Sequence, residues 1–393
     1  MTDFIPYGRH LIEDDDVAAV VAVLRGGHLA QGPRVAAFEA ALAARTGAAH
    51  AAAVSSCTAA LHLALLALDV GPGDLCVVPA ITFLSTATAA RMCGAEVVFA
   101  DVDAETGLMT PATLREALAR APGPVKVALP VHLGGRMCDM PALAAVAAEA
   151  GIVLVEDAAH APGSVRAGVR AGGCAHSAAA CFSFHPVKTM AAGEGGAVTT
   201  NDPDLAARVM RLRNHGVTHD PALMTDPALS LDAGGARHPW SYEQLELGFN
   251  LRMTDLEAAL GLSQLGKLDR FMARRAELAA LYDRLLAPLA PVVQPVRPAP
   301  DEHPSLHLYA VRIDFAALGK ARDSVITALA AQGVGTQVHY IPVYRQPYFA
   351  ARYGAQRLTG AETYYAQVLA LPLFPAMTEA DARRVAEALA GLC

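Results

Sequence analysis

A lysine follows a short apolar strand near the middle of the chain, in a segment with few other charges. Residues 182–188 read FSFHPVK, and the glycine-rich run GEGG follows at 193–196. Loss of solvation lowers the pKa of an ammonium group, and Lys188 would then be a neutral amine that can form a Schiff base with an aldehyde. A surface lysine after a loop is the alternative interpretation of this segment.

A carboxylate ends another predicted strand earlier in the chain. Residues 152–157 read IVLVED, which places Asp157 at the end of a buried strand. Pyridoxal phosphate (PLP) is an electron sink only while its pyridine nitrogen is protonated, and a buried aspartate keeps that proton in place. For Asp157 alone, a metal-ligating acid and a helix cap remain alternatives. The pairing with Lys188, each behind a strand, favours the PLP interpretation.

A third segment could hold a phosphate group. Residues 55–58 read SSCT and join a predicted strand to a predicted helix. Helix N-termini offer free N–H groups to anions, and the sequence has no GxxxxGK[ST] loop of the ATP-binding type. Alone, the segment could be an ordinary N-cap. Together with Asp157 and Lys188, it predicts the phosphate-binding part of one site.

These residues need a scaffold, and apolar runs alternate with helical patterns from Gly47 to Thr200. The predicted strands are Ala49–Val54, Leu75–Pro79, Glu96–Ala100, Val125–Pro130, Ile152–Glu156, Ala179–Ser183 and Gly196–Thr200. The helices predicted between the earlier strands are Thr58–Leu68, Leu84–Cys93, Pro111–Arg120 and Met140–Ala150. Such an alternation predicts a parallel sheet buried on both faces, with ligands outside the carboxyl ends of its strands.

A long helical region and a proline-rich passage follow. Thr254–Leu286 is predicted to be helical, and Thr254 with Glu257 has the pattern of a capping box. Six prolines between Pro288 and Pro304 cannot continue a helix and indicate the passage to a second domain. In that domain a strand, a helix and a strand are predicted at His307–Ile313, Ser324–Gln332 and Gly335–Tyr340.

Composition excludes several classes of protein. The 393 residues are 53% hydrophobic and 18% charged with a net charge of −7, which argues against disorder and against a nucleic-acid partner. No uncharged run reaches the roughly 18 residues that span a bilayer, and residues 1–9 lack an apolar signal segment, so we expect no membrane partner. Seven cysteines without a CxxC pair predict no disulfide framework, no metal and a cytoplasmic location.

Ordered motifs over nearly the whole chain resemble the sugar-nucleotide aminotransferases of the DegT/DnrJ/EryC1/StrS group. The motifs are LAQGP at 29–33, PAITF at 79–83, DVD at 101–103, PVH at 130–132, EDAAHA at 156–161, SFHPVK at 183–188, GFNLRMT at 248–254 and VHYIP at 338–342. Within the group, SFHPVK, ELGFN at 246–250 and HYIPVY at 339–344 are most similar to the pseudaminic acid branch.

The resemblance implies an α/β fold of the fold type I PLP-dependent transferases. It consists of a large domain with a mostly parallel central sheet between helices and a smaller C-terminal α+β domain. We accordingly predict an N-terminal segment at 1–25 that packs on the small domain, a large PLP-binding domain at 26–286 and a small domain at 287–393.

The resemblance also implies roles for the cofactor-binding residues. Lys188 is the Schiff-base lysine and the acid/base of transamination, Asp157 pairs with the pyridinium nitrogen, and His160 lies near the ring or its hydroxyl. Phe83 stacks on the ring, although a core phenylalanine is an alternative. The implied phosphate ligands are Cys57, Thr58, Ser183 and, from the neighbouring subunit, Asn250, which predicts a homodimer with shared active sites.

The implied substrate contacts come from the N-terminal part and the end of the chain. They are Tyr7, Leu29, Ala30, Gln31, His339 and Tyr340, with a core histidine as the alternative for His339. Two positions depart from the group: Cys57 replaces the usual glycine of the phosphate turn, and His160 stands where many relatives carry glutamine.

The implied reaction moves an amino group from L-glutamate to the C4 keto group of a UDP-2-acetamido-2,6-dideoxy-4-keto-hexose. The product would be UDP-4-amino-4,6-dideoxy-N-acetyl-β-L-altrosamine of pseudaminic acid biosynthesis. A different UDP- or dTDP-keto-6-deoxy sugar is the nearest alternative, and a non-catalytic PLP or sugar-nucleotide sensor is another. Sugar 3-dehydratases on this scaffold carry histidine in place of the lysine, so Lys188 argues against them.

Overall fold

A computed structural model describes residues 4–393 of the chain, apart from the side chain of Pro227. The strands of this part are β1 (His50–Val54), β2 (Leu75–Pro79), β3 (Glu96–Ala100), β4 (Val125–Ala128), β5 (Val153–Asp157), β6 (Val165–Arg166), β7 (Val169–Arg170), β8 (Ala179–Ser183), β9 (Gly196–Thr200), β10 (Val217–Thr218), β11 (Glu243–Gln244), β12 (Val293–Pro295), β13 (Glu302–His303), β14 (Tyr309–Ile313) and β15 (Val368–Leu371).

The α-helices of the same part range from one turn to five. They are α1 (Asp14–Leu24), α2 (Pro33–Thr46), α3 (Cys57–Ala67), α4 (Leu84–Met92), α5 (Pro111–Arg120), α6 (Met140–Ala150), α7 (Pro203–Leu212), α8 (Pro227–Ser230), α9 (Asp255–Leu265), α10 (Leu268–Leu286), α11 (Arg322–Ala331), α12 (Pro347–Tyr353), α13 (Thr359–Gln367) and α14 (Glu379–Ala390).

The central sheet of the described residues has the strand order β1-β9-β8-β5-β4-β2-β3. The strands from β8 to β3 are parallel to one another, whereas β9 is antiparallel to both of its neighbours. Gly196–Thr200 therefore differs from the parallel strand that its apolar sequence predicted. The connection from β8 contains no helix, and a parallel strand requires a long crossover that returns the chain to the same end of the sheet.

Both faces of this sheet are buried, because alternate side chains of a strand point to opposite faces. In β8, Ala179 and Cys181 belong to one apolar cluster, and Ala180 and Phe182 belong to a second. The first cluster contains α3 and the second contains Phe38 of α2. The fold is thus the expected α/β arrangement, with a mostly parallel sheet between helices.

The region Thr254–Leu286 forms two helices rather than the single one that was predicted. Its start is as predicted: the Thr254 hydroxyl accepts from the N–H of Glu257 at 3.2 Å, and the Glu257 carboxylate accepts from the N–H of Thr254 at 2.8 Å. The helix α9 ends before Gly266, a residue with low helix propensity. Next to it, Lys267 Nζ binds Asp15 at 2.6 Å and Asp16 at 2.8 Å.

The C-terminal part has its own antiparallel sheet, in the order β12-β14-β15. The predicted strand His307–Ile313 begins at Tyr309, and α11 lies close to its predicted range. The prediction of a strand at Gly335–Tyr340 is wrong: only Gln337 forms a bridge, to Ala370. Beyond that bridge the segment leaves the sheet and lines a cavity, where its backbone has no partner strand.

The N-terminal residues contact both parts of the molecule. Ile5 donates its N–H to the carbonyl of Gly333 and accepts from the N–H of Gly335, each at 2.8 Å. By contrast, α1 packs against α9. The first three residues of the predicted segment 1–25 lie outside the described residues, and the predicted domain boundaries stay a prediction.

Candidate active site

A cavity of about 560 Å³ lies at the carboxyl ends of β5 and β8. Most residues predicted for the site line it: Tyr7, Cys57, Thr58, Phe83, Asp157, His160, Ser183, Lys188, His339 and Tyr340. These residues come from widely separated motifs, and the strand ends bring them to one place. The cavity is therefore the candidate active site.

Lys188 lies on the loop that connects β8 to β9. Hydrogen bonds hold the two ends of this loop together. The N–H of Phe184 donates to the carbonyl of Gly195 at 2.9 Å, and the carbonyl of Phe184 accepts from the N–H of Ala192 at 2.8 Å. Burial lowers the pKa of Lys188 to about 8, although the nearby Cys57 and Asp157 oppose the shift. At this pKa roughly a tenth of the Lys188 amine is neutral at pH 7, far more than for an ordinary lysine, and the neutral form is the nucleophile.

Asp157 is held rigidly at the end of β5. Its Oδ2 accepts from the Thr86 hydroxyl at 2.7 Å and its Oδ1 from the N–H of Ala159 at 3.1 Å. Only 4% of the residue is exposed, and this burial raises its pKa. A cationic partner in the cavity would restore the charged form, which is what a protonated ring nitrogen offers.

The predicted phosphate turn is the N-terminus of α3. Ser56 is the N-cap, and its hydroxyl accepts from the N–H of Ala59 at 3.2 Å. Within the described residues, the backbone N–H groups of Cys57 and Thr58 have no acceptor. Free N–H groups at a helix N-terminus bind anions, and the helix dipole adds to the attraction.

The chain accommodates Cys57 in place of glycine because the residue begins a helix, a conformation open to any side chain. The thiol is buried, and burial raises its pKa well above the usual value, so it stays protonated. The residue that lies too close to this turn for a side chain is instead Gly196 of β9. A Cβ at Gly196 would lie 2.5 Å from the Cys57 nitrogen.

Aromatic side chains form one wall of the cavity. The Tyr7 and His339 rings are 5.5 Å apart between centroids, and those of Phe83 and Tyr340 are 6.1 Å apart. Phe83 is 55% exposed, which excludes the alternative of a core phenylalanine. His339 is buried but still lines the cavity, and burial lowers its pKa to about 3.

Four of the predicted site residues do not line the cavity. The Leu29–Gln31 loop is joined to the start of α9, where the N–H of Asp255 donates to the carbonyl of Leu29 at 3.0 Å. Asn250 is exposed and forms a bridge with Asn214. The roles of Leu29, Ala30, Gln31 and Asn250 stay predictions.

Two threonines that the motifs did not indicate support Asp157. Thr86 bonds its carboxylate, and Thr82 lies 2.7 Å from Thr86 between hydroxyl oxygens. Thr82 lies inside the PAITF motif and Thr86 four residues further on, and this spacing by itself does not indicate a contact with Asp157. The motifs did not indicate His307 either, whose ring centroid is 4.4 Å from that of His160.

The functional groups that line the cavity fit PLP. Lys188 supplies an amine for the aldehyde, Asp157 a buried carboxylate for the ring nitrogen, and the start of α3 unpaired N–H groups for the phosphate. When bound, PLP supplies the electron sink that makes a proton on the α-carbon of an amino acid labile. Site and sheet together define the class of fold type I PLP enzymes.

Residues 10–390 match the model of the DegT/DnrJ/EryC1/StrS aminotransferase family, so the chain belongs to this family. It is 38% identical over 389 residues to the Bacillus subtilis spore coat polysaccharide biosynthesis protein SpsC, covering 98% of this chain and 96% of SpsC. The family predicted from the motifs is thus confirmed.

Solved structures agree with this assignment. The chain is similar to Helicobacter pylori PseC, an aminotransferase involved in the biosynthesis of pseudaminic acid, with 26% identity, a TM-score of 0.89 and 99% of each chain covered. It is also similar to the PLP form of the Streptococcus pneumoniae sugar aminotransferase Spr1654, with 27% identity and a TM-score of 0.87 over 99% of this chain and 98% of that one. The protein is therefore a PLP-dependent sugar aminotransferase. Over the described residues, none of its helices has the length and apolar character that a bilayer crossing demands.

Proposed function

We propose that the enzyme transfers the amino group of L-glutamate to the C4 keto group of a UDP-2-acetamido-2,6-dideoxy-4-keto-hexose. The product would be UDP-4-amino-4,6-dideoxy-N-acetyl-β-L-altrosamine, in the pathway to pseudaminic acid. The observation that carries the proposal is the similarity to PseC over 99% of both chains. The segments around Lys188 and His339 support the same branch.

A second candidate substrate is another keto-6-deoxy sugar nucleotide. The identity to SpsC, a spore coat polysaccharide protein, is 38%, which exceeds the 26% to PseC. Pocket residues rather than the scaffold decide between substrates, because one scaffold hosts many specificities. The two candidates therefore need a direct comparison.

In the proposed mechanism Lys188 Nζ is the group that moves the proton. Its pKa of about 8 lets it accept a proton from the α-carbon of the amino donor and release it again. Asp157 holds the proton on the ring nitrogen from a position fixed by Thr86 and Ala159. The start of α3, which includes Cys57 and Thr58, would bind the phosphate together with Ser183.

The same side chains would receive the second substrate. Phe83 would stack on the cofactor ring, His160 would lie near its hydroxyl, and Tyr7, His339 and Tyr340 would contact the sugar. These aromatic and imidazole groups are neutral, which suits a sugar better than a carboxylate.

We also propose a homodimer in which Asn250 reaches the phosphate of the partner. Exposed apolar side chains occur on the segment that precedes Asn250: Trp240 is 73% exposed and Leu247 is 81% exposed. Large exposed apolar side chains that cluster are typical of an interface. Cytoplasmic activity remains part of the proposal, since all seven cysteines are free and six are buried.

A panel of keto sugar nucleotides tests the reaction. The purified enzyme with PLP and L-glutamate is given UDP- and dTDP-linked 4-keto and 3-keto 6-deoxy sugars, and the products are characterised by mass spectrometry and NMR. We expect the highest kcat/KM with the UDP-4-keto-6-deoxy-AltNAc substrate. NMR of the product determines the configuration of the new amine. A faster reaction with a dTDP or 3-keto sugar would favour the second candidate.

The variant Lys188→Ala is the control for this assay. It removes the only lysine or arginine that the described residues place in the cavity lining. We expect no turnover with any sugar, and no bleaching of the cofactor band by glutamate. Persistent turnover by this variant would contradict the role of Lys188.

A further inference from the structure

The hydrogen bonds around His160 determine where its ring carries a proton. The backbone N–H of Gly134 donates to His160 Nδ1 at 3.1 Å in a buried contact. A nitrogen that accepts a hydrogen bond carries no hydrogen, so the proton of the neutral ring lies on Nε2. The fold thereby selects one tautomer of His160.

This tautomer determines the orientation of a neighbouring hydroxyl. His160 Nε2 lies 3.2 Å from the hydroxyl oxygen of Tyr340, and because Nε2 carries the hydrogen, the imidazole donates. The hydrogen of the Tyr340 hydroxyl must then point elsewhere. Among the described residues no other protein acceptor bonds this hydroxyl, and Tyr340 lines the cavity. The cavity therefore contains an O–H donor that the protein itself does not use.

Burial keeps both groups in the required protonation state. It lowers the pKa of His160 well below the usual range, and the Lys188 amine nearby lowers it further. It raises the pKa of Tyr340 far above that of an ordinary tyrosine. His160 is therefore a neutral imidazole and Tyr340 a neutral phenol near neutral pH.

The surroundings of the hydroxyl indicate what it binds. Tyr340 belongs to the aromatic wall with Tyr7, His339 and Phe83, and no arginine of residues 4–393 lines the cavity. Aromatic faces pack against the C–H groups of a sugar, whereas carboxylates are usually bound by arginine. A carboxylate at this wall would have no guanidinium to neutralise it, so an uncharged oxygen is the acceptor that fits the Tyr340 hydroxyl better.

We propose that Tyr340, oriented by His160, is a specificity residue that donates a hydrogen bond to an uncharged carbonyl or hydroxyl oxygen of the keto sugar. This role rests on the proposed function and deepens it, because it assigns one donor to the sugar and none to glutamate. His160 is a positioning residue in this arrangement, since it acts on the sugar through Tyr340.

The two half-reactions of the holoenzyme separate this role from the alternatives. The glutamate half-reaction starts from the PLP form and the sugar half-reaction from the pyridoxamine phosphate form, and each is followed by the cofactor absorbance. For Tyr340→Phe we expect kcat/KM of the sugar half-reaction to fall about tenfold or more, the effect of one lost hydrogen bond to a desolvated oxygen. The glutamate half-reaction should change less than twofold.

A binding measurement provides a readout besides activity. The keto sugar nucleotide cannot react with the PLP form, so calorimetry gives its Kd for that dead-end complex. We expect Tyr340→Phe to weaken it about tenfold. The matched control is Tyr348→Phe, which removes a hydroxyl that lies 3.3 Å from Arg91 on the surface, outside the cavity. It should leave both half-reactions and the Kd unchanged.

Two variants of His160 test the positioning role. A glutamine can accept from Gly134 and donate to Tyr340, whereas a leucine can do neither. We expect the ratio of the sugar kcat/KM to the glutamate kcat/KM to fall in His160→Leu. In His160→Gln the same ratio should stay close to the wild-type value. Equal losses in both half-reactions of these variants would indicate a contact with the cofactor alone and would overturn the positioning role.

The remaining outcomes are also decisive. Unchanged sugar kinetics and Kd in Tyr340→Phe, with an active wild type, would overturn this inference and leave the proposed function intact. An equal fall in both half-reactions, or a shifted cofactor absorbance maximum, would assign the hydroxyl to the cofactor and overturn it too. A wild type that accepts no keto sugar would overturn the proposed function together with this inference.

Discussion

Lys188 illustrates how a catalytic group is created at the cost of stability. An ordinary lysine has a pKa of 10.5, and burial lowers that of Lys188 to about 8. Cys57 and Asp157 offset part of this shift, yet Cys57 is a neutral thiol whose own pKa is raised by burial. Burial of the protonated Lys188 amine therefore destabilises the folded apoenzyme.

We expect Lys188→Met to stabilise the apoenzyme near pH 7 by about 1–3 kcal/mol, while abolishing transamination. The folded pKa lies below the unfolded value, so the unfolded chain binds more protons between pH 8 and 10.5. The destabilisation of the folded state by the buried, protonated amine is therefore complete below pH 8 and decreases as the pH rises towards 10.5. Urea unfolding of the wild-type and Lys188→Met apoproteins should show a smaller difference in unfolding free energy at pH 10 than at pH 7.

The exposed Lys320 provides the control for this prediction. Its side chain lies on the surface, where it contacts the carbonyl of Leu392. Lys320→Met should change stability by less than about 0.5 kcal/mol at either pH. If Lys188→Met destabilised the apoenzyme at pH 7, the amine would not be under desolvation strain.

Asp157 yields a second prediction at the scale of single residues. Asp157→Asn retains the size of the side chain and an acceptor for Thr86, but loses the negative charge that holds a proton on the ring nitrogen. We expect the glutamate half-reaction to slow by roughly 100-fold or more, the effect of removing one strong electrostatic contact. Stopped-flow absorbance measures this rate, and Thr82→Val is a neighbouring control in which the carboxylate remains. A rate within threefold of wild type in Asp157→Asn would contradict the ring-nitrogen role.

At the scale of elements, Asp255 connects the helix α9 to the helix α2. Gly32, the N-cap of α2, has no side chain to cap the helix. Instead, the Asp255 carboxylate accepts from the N–H of Gly32 at 2.7 Å and from that of Arg34 at 2.9 Å. One buried carboxylate thus caps a helix distant in sequence and holds the Leu29–Gln31 loop in front of it.

We expect Asp255→Ala to destabilise the protein by about 2–3 kcal/mol, because it removes two charge-assisted hydrogen bonds from a fully buried position. Urea unfolding measures the loss. If the Leu29–Gln31 loop contacts the sugar as predicted, the KM for the sugar should also rise while that for glutamate does not. An unchanged sugar KM would remove the loop from the substrate site.

The matched control changes another aspartate near the same helices. Asp269 pairs with Arg45 of α2, but its side chain is 78% exposed. Exposed ion pairs contribute little, so Asp269→Ala should cost less than about 1 kcal/mol. A loss equal to that of Asp255→Ala would mean that burial is not what makes the Asp255 cap strong.

The elements whose bounds were predicted correctly are those with a clear local sequence pattern. The strands at Leu75–Pro79 and Ala179–Ser183 and the helix at Pro111–Arg120 have the predicted bounds, because local apolar pattern and capping residues define them. The direction of Gly196–Thr200 could not be read from its residues, since parallel and antiparallel buried strands have the same composition. The loop that carries Lys188 contains proline and glycine and no helix, which is unlike a parallel crossover and was the available signal.

The candidate site was predictable to the extent that motifs lie at strand and helix ends. Asp157 and Lys188 met in one cavity because both follow neighbouring parallel strands. Thr86 and His307 were missed because their contacts depend on tertiary packing, not on any local pattern. The irregular path of Gly335–Tyr340 had the same cause, since a sequence that suits a strand follows the cavity wall instead.

At the scale of the whole molecule, the cavity of a single chain lacks some of the groups that the proposed function needs. Among the described residues no arginine lines this cavity, and Asn250 lies away from it on the surface. Large apolar side chains are exposed nearby in sequence, with Leu247 at 81% and Trp240 at 73%. The low proportion of charged residues, 18%, is consistent with a covered surface. A second copy of the chain would account for all of these features.

Mixing two inactive variants tests whether active sites are shared. Lys188→Ala and Asn250→Ala alter residues that the proposed dimer places in the same site but on different chains. A hybrid dimer would contain one site with both residues intact, so random reassociation after dilution and mixing should restore up to about a quarter of the wild-type activity at low PLP concentration. The matched control mixes Lys188→Ala with Asp157→Asn, which alter one cavity within one chain, and no mixed site is then complete. Equal recovery in both mixtures, or none in the first while light scattering shows dimers, would place Asn250 outside the partner's site.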